Sequence, residues 1–464
     1  MHSVLRSCAA LILGTVFCTF SGTEESSAQT ASDVPAKKTA NSQISQEAEL
    51  EVQKRRLFLF RQMLEKPQDL DVAFEYATLS AQVGDLEAAI STLERMLIFA
   101  PGLPRLQLEL GLLYYRLQAF KTAKTYFESA VSGPDVPEEV RAKVEQYLSG
   151  IEKAGRKVAF SGQMRAGIRY QTNANRGPDG EIIILNGLPF ELDALSQADP
   201  DANVYVSGKF HVTRKLPRQG TTLEFDLVTY ASKQFERDEF DLVQAEATLG
   251  PAFDLSRFGY ENAALGVYGI VSSAFLDKDY YATFAGAGTQ IVSQFNARTS
   301  GSAKLEYRYK EFYDSPSVPT ASNRDGHEVR GASVVQYIID PMRTVNFSAG
   351  AVRSISRADY LSYWDVAAQA GASFAFMSPF NGKQKWVLGT SAGIVYRAYD
   401  NPDPLVDPTL AQEDTEYFAQ GSLNIPVKNG VSILGEADYR YVHSNYPTRR
   451  HNNFGTTLSV VKLW

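Results

Sequence analysis

Cysteine is almost missing from this 464-residue chain: there are two, Cys8 and Cys18, both near its start. That start reads as a secretory signal over residues 1–28, with Arg6 ahead of an apolar run from Ala9 to Phe20 and Ser26-Ser27-Ala28 as a small-residue cleavage site. Once the signal is removed no cysteine remains, which excludes a disulfide, a thiolate metal site and a thiol nucleophile. Basic residues are not in excess: 46 Lys and Arg stand against 53 Asp and Glu, a net charge of −7, so the electrostatic footprint of a nucleic-acid binder is missing. After the signal no stretch of 18 apolar residues occurs, so a membrane-spanning helix is excluded and any passage through a bilayer must be made by strands. Histidine is scarce too. His443 and Ser444 are neighbours that a strand would point to opposite faces, and there is no His-Glu-x-x-His and no phosphate-binding glycine loop. The acidic group Asp238, Glu239 and Asp241 reads as solvated charge. The expectation is a protein that is not an enzyme, with no catalytic residues, no cofactor and no metal.

Aromatic residues and glycine are plentiful, with 24 Tyr, 26 Phe and 33 Gly. They fall into alternating runs. From Val431 every second residue (Val431, Ile433, Gly435, Ala437, Tyr439, Tyr441) is apolar, small or aromatic, while Glu436, Asp438 and Arg440 occupy the other face. Ala303, Leu305, Tyr307 and Tyr309 alternate in the same way with Lys304, Glu306, Arg308 and Lys310. A period of two is a β-strand. The charged face is too dense for a dry core, so it must meet water while the aromatic face meets lipid, which is the alternation of a membrane β-barrel. Fourteen such strands can be drawn between Lys157 and Trp464, an even number that suits a closed single-chain barrel. Long connectors, at Gln171–Ala202, Tyr313–Asp325, Asp400–Asp414 and Ser444–Asn452, all follow odd-numbered strands. That parity matches long external loops and short periplasmic turns. The predicted lumen residues are Glu224 and Asp226, Lys304, Glu306, Arg308 and Lys310, and Glu436, Asp438 and Arg440. Both signs occur, so the wall can brace itself with ion pairs and still offer a polar route.

Before the barrel the period is helical. A leader at 29–45 rich in small polar residues precedes a helical domain at 46–154, and the barrel takes 155–464. Two copies of a 34-residue unit are visible: Ala77, Gly84, Ala89, Leu93 and Pro101 recur at that offset as Gly111, Gln118, Ala123, Phe127 and Asp135. The stretches Gly84-Asp85-Leu86-Glu87-Ala88-Ala89 and Leu110-Gly111-Leu112-Leu113-Tyr114-Tyr115 resemble the tetratricopeptide repeat (TPR), in which small residues let two antiparallel helices cross closely. In that register Phe74, Arg105, Leu112, Tyr115 and Arg116 line a concave face that holds peptides or partner domains. The apolar members can equally pack on neighbouring helices.

The combination of a signal, a short TPR region and a 14-stranded barrel resembles the surface lipoprotein assembly modulators (Slam proteins) of Gram-negative bacteria. The local likeness is carried by Gly84-Asp85 through Leu93-Glu94-Arg95-Met96-Leu97, Glu109 to Leu117, Pro137-Glu138-Glu139-Val140-Arg141 and Gly162 to Asn175. Gln171-Thr172 stands where that family more usually has Asp-Ser. The resemblance implies an outer-membrane protein translocator that carries lipoproteins or secreted proteins to the cell surface, with the TPR region in the periplasm. Its implied partners are protein cargo and periplasmic chaperones. The barrel pattern itself implies outer-membrane lipid, and the last strand, with Phe454, Leu458, Val460 and a terminal Trp464, resembles the signal read by the barrel-assembly machinery. The charge balance argues against nucleic acid. A TPR-barrel polysaccharide export porin or a passive porin is the alternative.

Overall fold

The computed structural model describes residues 42–464 except 101–102, 118, 134–135, 156, 194–195, 218–219, 261, 381 and 383. The signal at 1–28, residues 29–41 of the leader, and Pro101, Gln118 and Asp135 of the repeat lie outside the described residues. The chain divides into two compact units, helical up to Lys157 and built of strands from Val158.

The helical unit consists of α1 (Ser42–Glu65), α2 (Leu70–Gln82), α3 (Leu86–Phe99), α4 (Pro104–Arg116), α5 (Phe120–Ala130) and α6 (Glu138–Gly155). Helix α1 begins at Ser42 rather than near Gln46, so the end of the expected leader is helical. Asp69 and Asp85 cap α2 and α3 by accepting hydrogen bonds from the Val72 and Ala88 amides. Gly84 turns between α2 and α3 at φ +85°, a left-handed conformation that costs glycine nothing. The repeat positions are the packing positions: Ala77, Ala89 and Leu93 are buried, as are their offset partners Gly111, Ala123 and Phe127. A methyl group on Gly111 would lie 2.7 Å from the Phe127 ring, so glycine is what lets α4 and α5 cross there. Helices α1 to α4 share one core around Leu59, Ala77, Leu93 and Leu110, and a second core joins Phe127 to Val144 and Ile151 of α6. The helices before and after the two repeats thus cover their open apolar ends.

The second unit is a closed antiparallel barrel of fourteen strands. It starts with β1 (Val158–Gln171), and β2 (Ile182–Leu185) and β3 (Leu188–Glu191) form a separate hairpin in the first connector. The wall continues through β4 (Asp201–Lys215), β5 (Thr221–Gln234), β6 (Leu242–Asp254), β7 (Ala263–Leu276) and β8 (Asp279–Asn296). It goes on through β9 (Thr299–Phe312), β10 (Gly326–Asp340), β11 (Arg343–Ser356), β12 (Tyr363–Met377) and β13 (Lys385–Pro402), and ends with β14 (Ala411–Lys428), β15 (Val431–Ser444) and β16 (His451–Leu463). Each strand pairs with its successor, and β1 closes on β16 from Gln163 opposite Leu463 to Gln171 opposite Gly455. No helix among the described residues is long and apolar enough to cross a membrane; the wall strands, from 13 to 18 residues, reach the length a tilted transmembrane strand needs.

The outer surface has the composition of a lipid contact. Ile168, Val206, Val271, Leu305, Ile394 and Leu458 are exposed around its middle. Aromatic residues gather at both ends of the strands. Phe210 packs against both Phe160 and Trp464 at the short-turn end, while Tyr307, Trp364, Tyr417 and Tyr439 stand outward toward the other end. An apolar band between two aromatic girdles is how a transmembrane barrel meets its bilayer. Lys462, which breaks the apolar pattern of β16, folds its ammonium over the Trp464 ring at 5.7 Å and onto the Asn429 carbonyl, snorkelling to the rim.

The connector at 313–325 lies over the mouth of the barrel, where Val318 and Ala321 pack on the inward-facing Phe284 and Phe312. The connector between β13 and β14 is shorter than its sequence suggests, because those strands extend to Pro402 and from Ala411.

Candidate functional site

Alternation along each strand turns the charged residues into a lumen lining. On β9, Lys304, Glu306, Arg308 and Lys310 all face inward, while Leu305, Tyr307 and Tyr309 face out. Arg308, 2% exposed, donates to Glu246 of β6 at 2.5 and 3.1 Å and to Glu306 at 2.8 Å. Strands β7 and β8 stand between β6 and β9, so this guanidinium bridges the curve of the wall. Glu306 also accepts from the Tyr268 hydroxyl at 3.0 Å and lies 3.5 Å from Lys304. Lys310 donates to Glu328 at 3.3 Å and to Ser354 at 2.6 Å, and Arg330 completes Glu328 at 2.9 Å.

The β15 charges repeat the arrangement. Glu436 pairs with Arg165 and accepts from Gln420 at 3.1 Å, Asp438 pairs with Arg169 at 3.1 Å, and Arg440 pairs with Glu416 of β14 at 2.7 Å. Arg397 of β13 and Asp365 of β12, both almost fully buried, meet at 2.5 Å. Guanidiniums dominate these contacts because a planar fork can satisfy two acceptors at once.

Glu224 and Asp226 occupy a different environment. They lie toward the short-turn end of β5, where the Asp226 side chain is 47% exposed. His211 accompanies them, with Nδ1 at 2.7 Å from Asp226 Oδ1 and Nε2 at 2.7 Å from the Thr213 hydroxyl. Acid, imidazole and hydroxyl in series can relay a proton, but acyl transfer also needs preorganised oxyanion donors. Strands β4 and β5 are paired on both sides, which commits their amides to the ladder. The lumen is therefore wet at the short-turn end and packed with ion pairs toward the other.

Several of these residues escape a reading of the sequence. Arg165 and Arg169 sit on one face of β1 at a spacing that marks them as luminal, as Glu328 and Arg330 do on β10. Glu246, Asp365 and Arg397 are isolated in the sequence; the strand register sets Arg397 directly opposite Asp365 and brings Arg440 near Glu416 on the neighbouring strand, while Glu246 reaches Arg308 across the curve of the closed wall. The acidic group at the rim is held locally: Asp241 accepts from Lys233 at 2.6 Å and from the Gln234 amide at 2.8 Å, and Glu239 accepts from Arg237 at 2.7 Å.

In the helical unit the five concave-face residues fall into separate groups. The Arg105 guanidinium stacks over the Phe74 ring at 4.5 Å, joining α2 to α4. Leu112 and Tyr115 pack into the second core, Tyr115 meeting Phe120 at 5.6 Å and Tyr147 of α6 at 5.3 Å. Arg116 is exposed. Beside them Tyr114 stacks on Tyr126 and donates to Glu94 at 2.7 Å, which, together with burial, pushes its pKa up to about 12.

No protein-family model matches the sequence, and no curated protein sequence matches it. Solved structures do align with it. PcrH in complex with the chaperone-binding region of PopD matches the helical region at 14% identity and a TM-score of 0.22, covering 24% of this chain and 87% of that one. A bacterial polysaccharide outer membrane secretin aligns at 10% identity and a TM-score of 0.35, covering 65% of this chain and 98% of its own. A FadL homologue from Pseudomonas aeruginosa aligns at 10% identity and a TM-score of 0.36, covering 66% and 90% respectively.

Proposed function

We propose that this protein is an outer-membrane translocator that delivers lipoproteins or secreted proteins to the cell surface. The helical unit docks the cargo, or a chaperone carrying it, in the periplasm, and the barrel provides the route outward. The observation that carries this reading is the joining, in one chain, of a two-repeat TPR-type unit to a closed barrel with a lipid-facing exterior and an interior charged in both signs. An even strand number brings both ends of the barrel out at the short-turn side, which is periplasmic when long loops face outside. The helical unit precedes β1 and so belongs to that compartment. Phe74 and Arg105 offer an aromatic and a cation on the repeat for a peptide to meet, and Arg116 offers a second exposed cation. The barrel acts as a conduit without catalysis, and the Thr213–His211–Asp226 series serves as part of its wet wall.

Removing residues 29–154 is the direct test. The barrel still folds and inserts, and surface display of cargo is lost; normal display from the shortened chain would end the proposal. The wet, half-exposed lumen around Glu224 and Asp226 favours a second reading, a polysaccharide export or passive porin. Steady ion conductance in a planar bilayer, with an unchanged set of surface proteins, would select it.

A further inference from the structure

The first connector enters the packed end of the lumen through a turn built for the purpose. Asn173 donates from Nδ2 to the carbonyls of Gly177 at 2.9 Å and Asn452 at 3.1 Å, and its Oδ1 accepts from the Gly177 amide at 2.8 Å. Asn175 Oδ1 accepts from the Asp199 amide at 3.1 Å, tying the start of the connector to its end. Between them Arg176 is held at φ +52°, in the left-handed region that a residue with a Cβ rarely takes. A methyl group on Gly177 would lie 2.4 Å from the Gln197 backbone, so the turn has no slack.

Arg176 lines a cavity of about 50 Å³ that brings four guanidiniums together. The others are Arg397 and Arg440 of the wall and Arg449 of the connector between β15 and β16. Only two carboxylates, Asp414 and Glu416, line the same space. Burial and the like charge of Arg440 pull the Arg176 pKa down to about 10, as expected where positive charge is crowded. Three buried polar atoms on the lining have no hydrogen-bond partner: Thr448 Oγ1, Asp414 Oδ1 and Arg397 Nε. Thr448, Asp414 and Arg397 are each less than a tenth exposed. The His451 ring donates from Nδ1 to the Arg449 carbonyl at 2.9 Å, which leaves Nε2 an acceptor while the ring is neutral.

We infer that this cavity is a binding site for a small oxyanion that also carries a hydroxyl, of which hydrogenphosphate is the simplest. The guanidiniums and the Thr448 hydroxyl donate to its oxygens, and its own hydroxyl donates to Asp414 Oδ1 or His451 Nε2. An apolar ligand would leave the buried polar atoms unsatisfied, and a fully deprotonated anion would set a bare oxygen against the Asp414 carboxylate. Because Arg176 and Arg449 come from two connectors and Arg397 and Arg440 from the wall, the bound anion fastens the mouth of the barrel shut. The ligand is one free in solution, since the wall residues that line the cavity lie on the inward face of their strands, away from lipid.

The test uses the full chain in detergent micelles, with hydrogen exchange of residues 172–200 followed at constant ionic strength. Inorganic phosphate at ten times its dissociation constant slows the exchange of those amides about tenfold. Sulfate, which lacks the hydroxyl at neutral pH, protects less, and chloride does nothing. The double variant R176Q/R449Q loses the phosphate effect, and D414N narrows the gap between phosphate and sulfate. Equal protection by chloride, or an undiminished phosphate effect in R176Q/R449Q, overturns the assignment. If that double variant does not fold, an unchanged preference for phosphate over sulfate in D414N overturns it instead. A lipid-borne phosphate is distinguished by its source: vesicles of a phosphomonoester lipid would protect the connector where inorganic phosphate does not, and that result also overturns a free ligand.

Discussion

Replacing Arg308 with Met should make the barrel markedly easier to unfold. Arg308 is 2% exposed and holds Glu246 and Glu306, whose side chains are 14% and 4% exposed. Methionine fills the same channel but leaves two carboxylates facing each other without the cation between them. Removing one partner from a buried ion pair typically costs about 3–5 kcal/mol. Glu306 keeps Lys304 at 3.5 Å and the Tyr268 hydroxyl at 3.0 Å, which places the loss at the lower end, about 3 kcal/mol or roughly two decades in the folding equilibrium. The triple variant E246Q/E306Q/R308M removes the charges together and should return to within about 1 kcal/mol of the parent, since buried pairs and neutral replacements often balance. The assay is urea-dependent folding into phospholipid vesicles. All three tryptophans, Trp364, Trp386 and Trp464, belong to the strand-built unit, so their fluorescence reports the barrel alone. An R308M barrel as stable as the parent, or a triple variant as weak as the single one, would refute the idea that this web braces the wall.

Other consequences can be checked with simple variants. Gly111→Ala puts a methyl group 2.7 Å from the Phe127 ring and should destabilise the helical unit by about 1–3 kcal/mol, read as an earlier loss of helical circular dichroism on heating. Leu458→Arg, at a position 63% exposed near the middle of β16, should cost about 2–4 kcal/mol of folding into vesicles, whereas the inward-facing neighbour Ser459 should tolerate a polar replacement far better. Tyr114 titrates late, with its pKa raised to about 12, so the stability it contributes is present in full below pH 10 and is lost as pH rises through 12. Tyr114→Phe should abolish that alkaline limb in a pH series of thermal unfolding.

Much of the architecture can be read from residue order because a strand repeats every two residues and each face has one solvent. The β9 and β15 charges fall inside and their aromatic neighbours outside, as alternation requires, and the fourteen wall strands follow. The hairpin at Ile182–Leu185 and Leu188–Glu191 escapes notice because a continuous apolar run carries no period. The site is less legible than the wall. Arg165 meets Glu436 and Arg308 meets Glu246 only because the closed sheet curves, and no local pattern encodes that curvature. Likewise the Asn173–Gly177 turn shows its purpose only when Arg176 is seen among the arginines of the wall. On the helical side, the 34-residue offset marks which residues are small and buried, but Leu112 and Tyr115 turn to α6, a contact that depends on the helix after the repeats.

Quantitative surface proteomics, comparing cells with and without this protein while total levels of each surface protein are followed, tests the central claim most directly. If the barrel exports protein, one or a few surface proteins disappear from outside and accumulate in the periplasm at unchanged total abundance. A surface proteome identical in the two strains would contradict it and leave the barrel as a route for something other than protein.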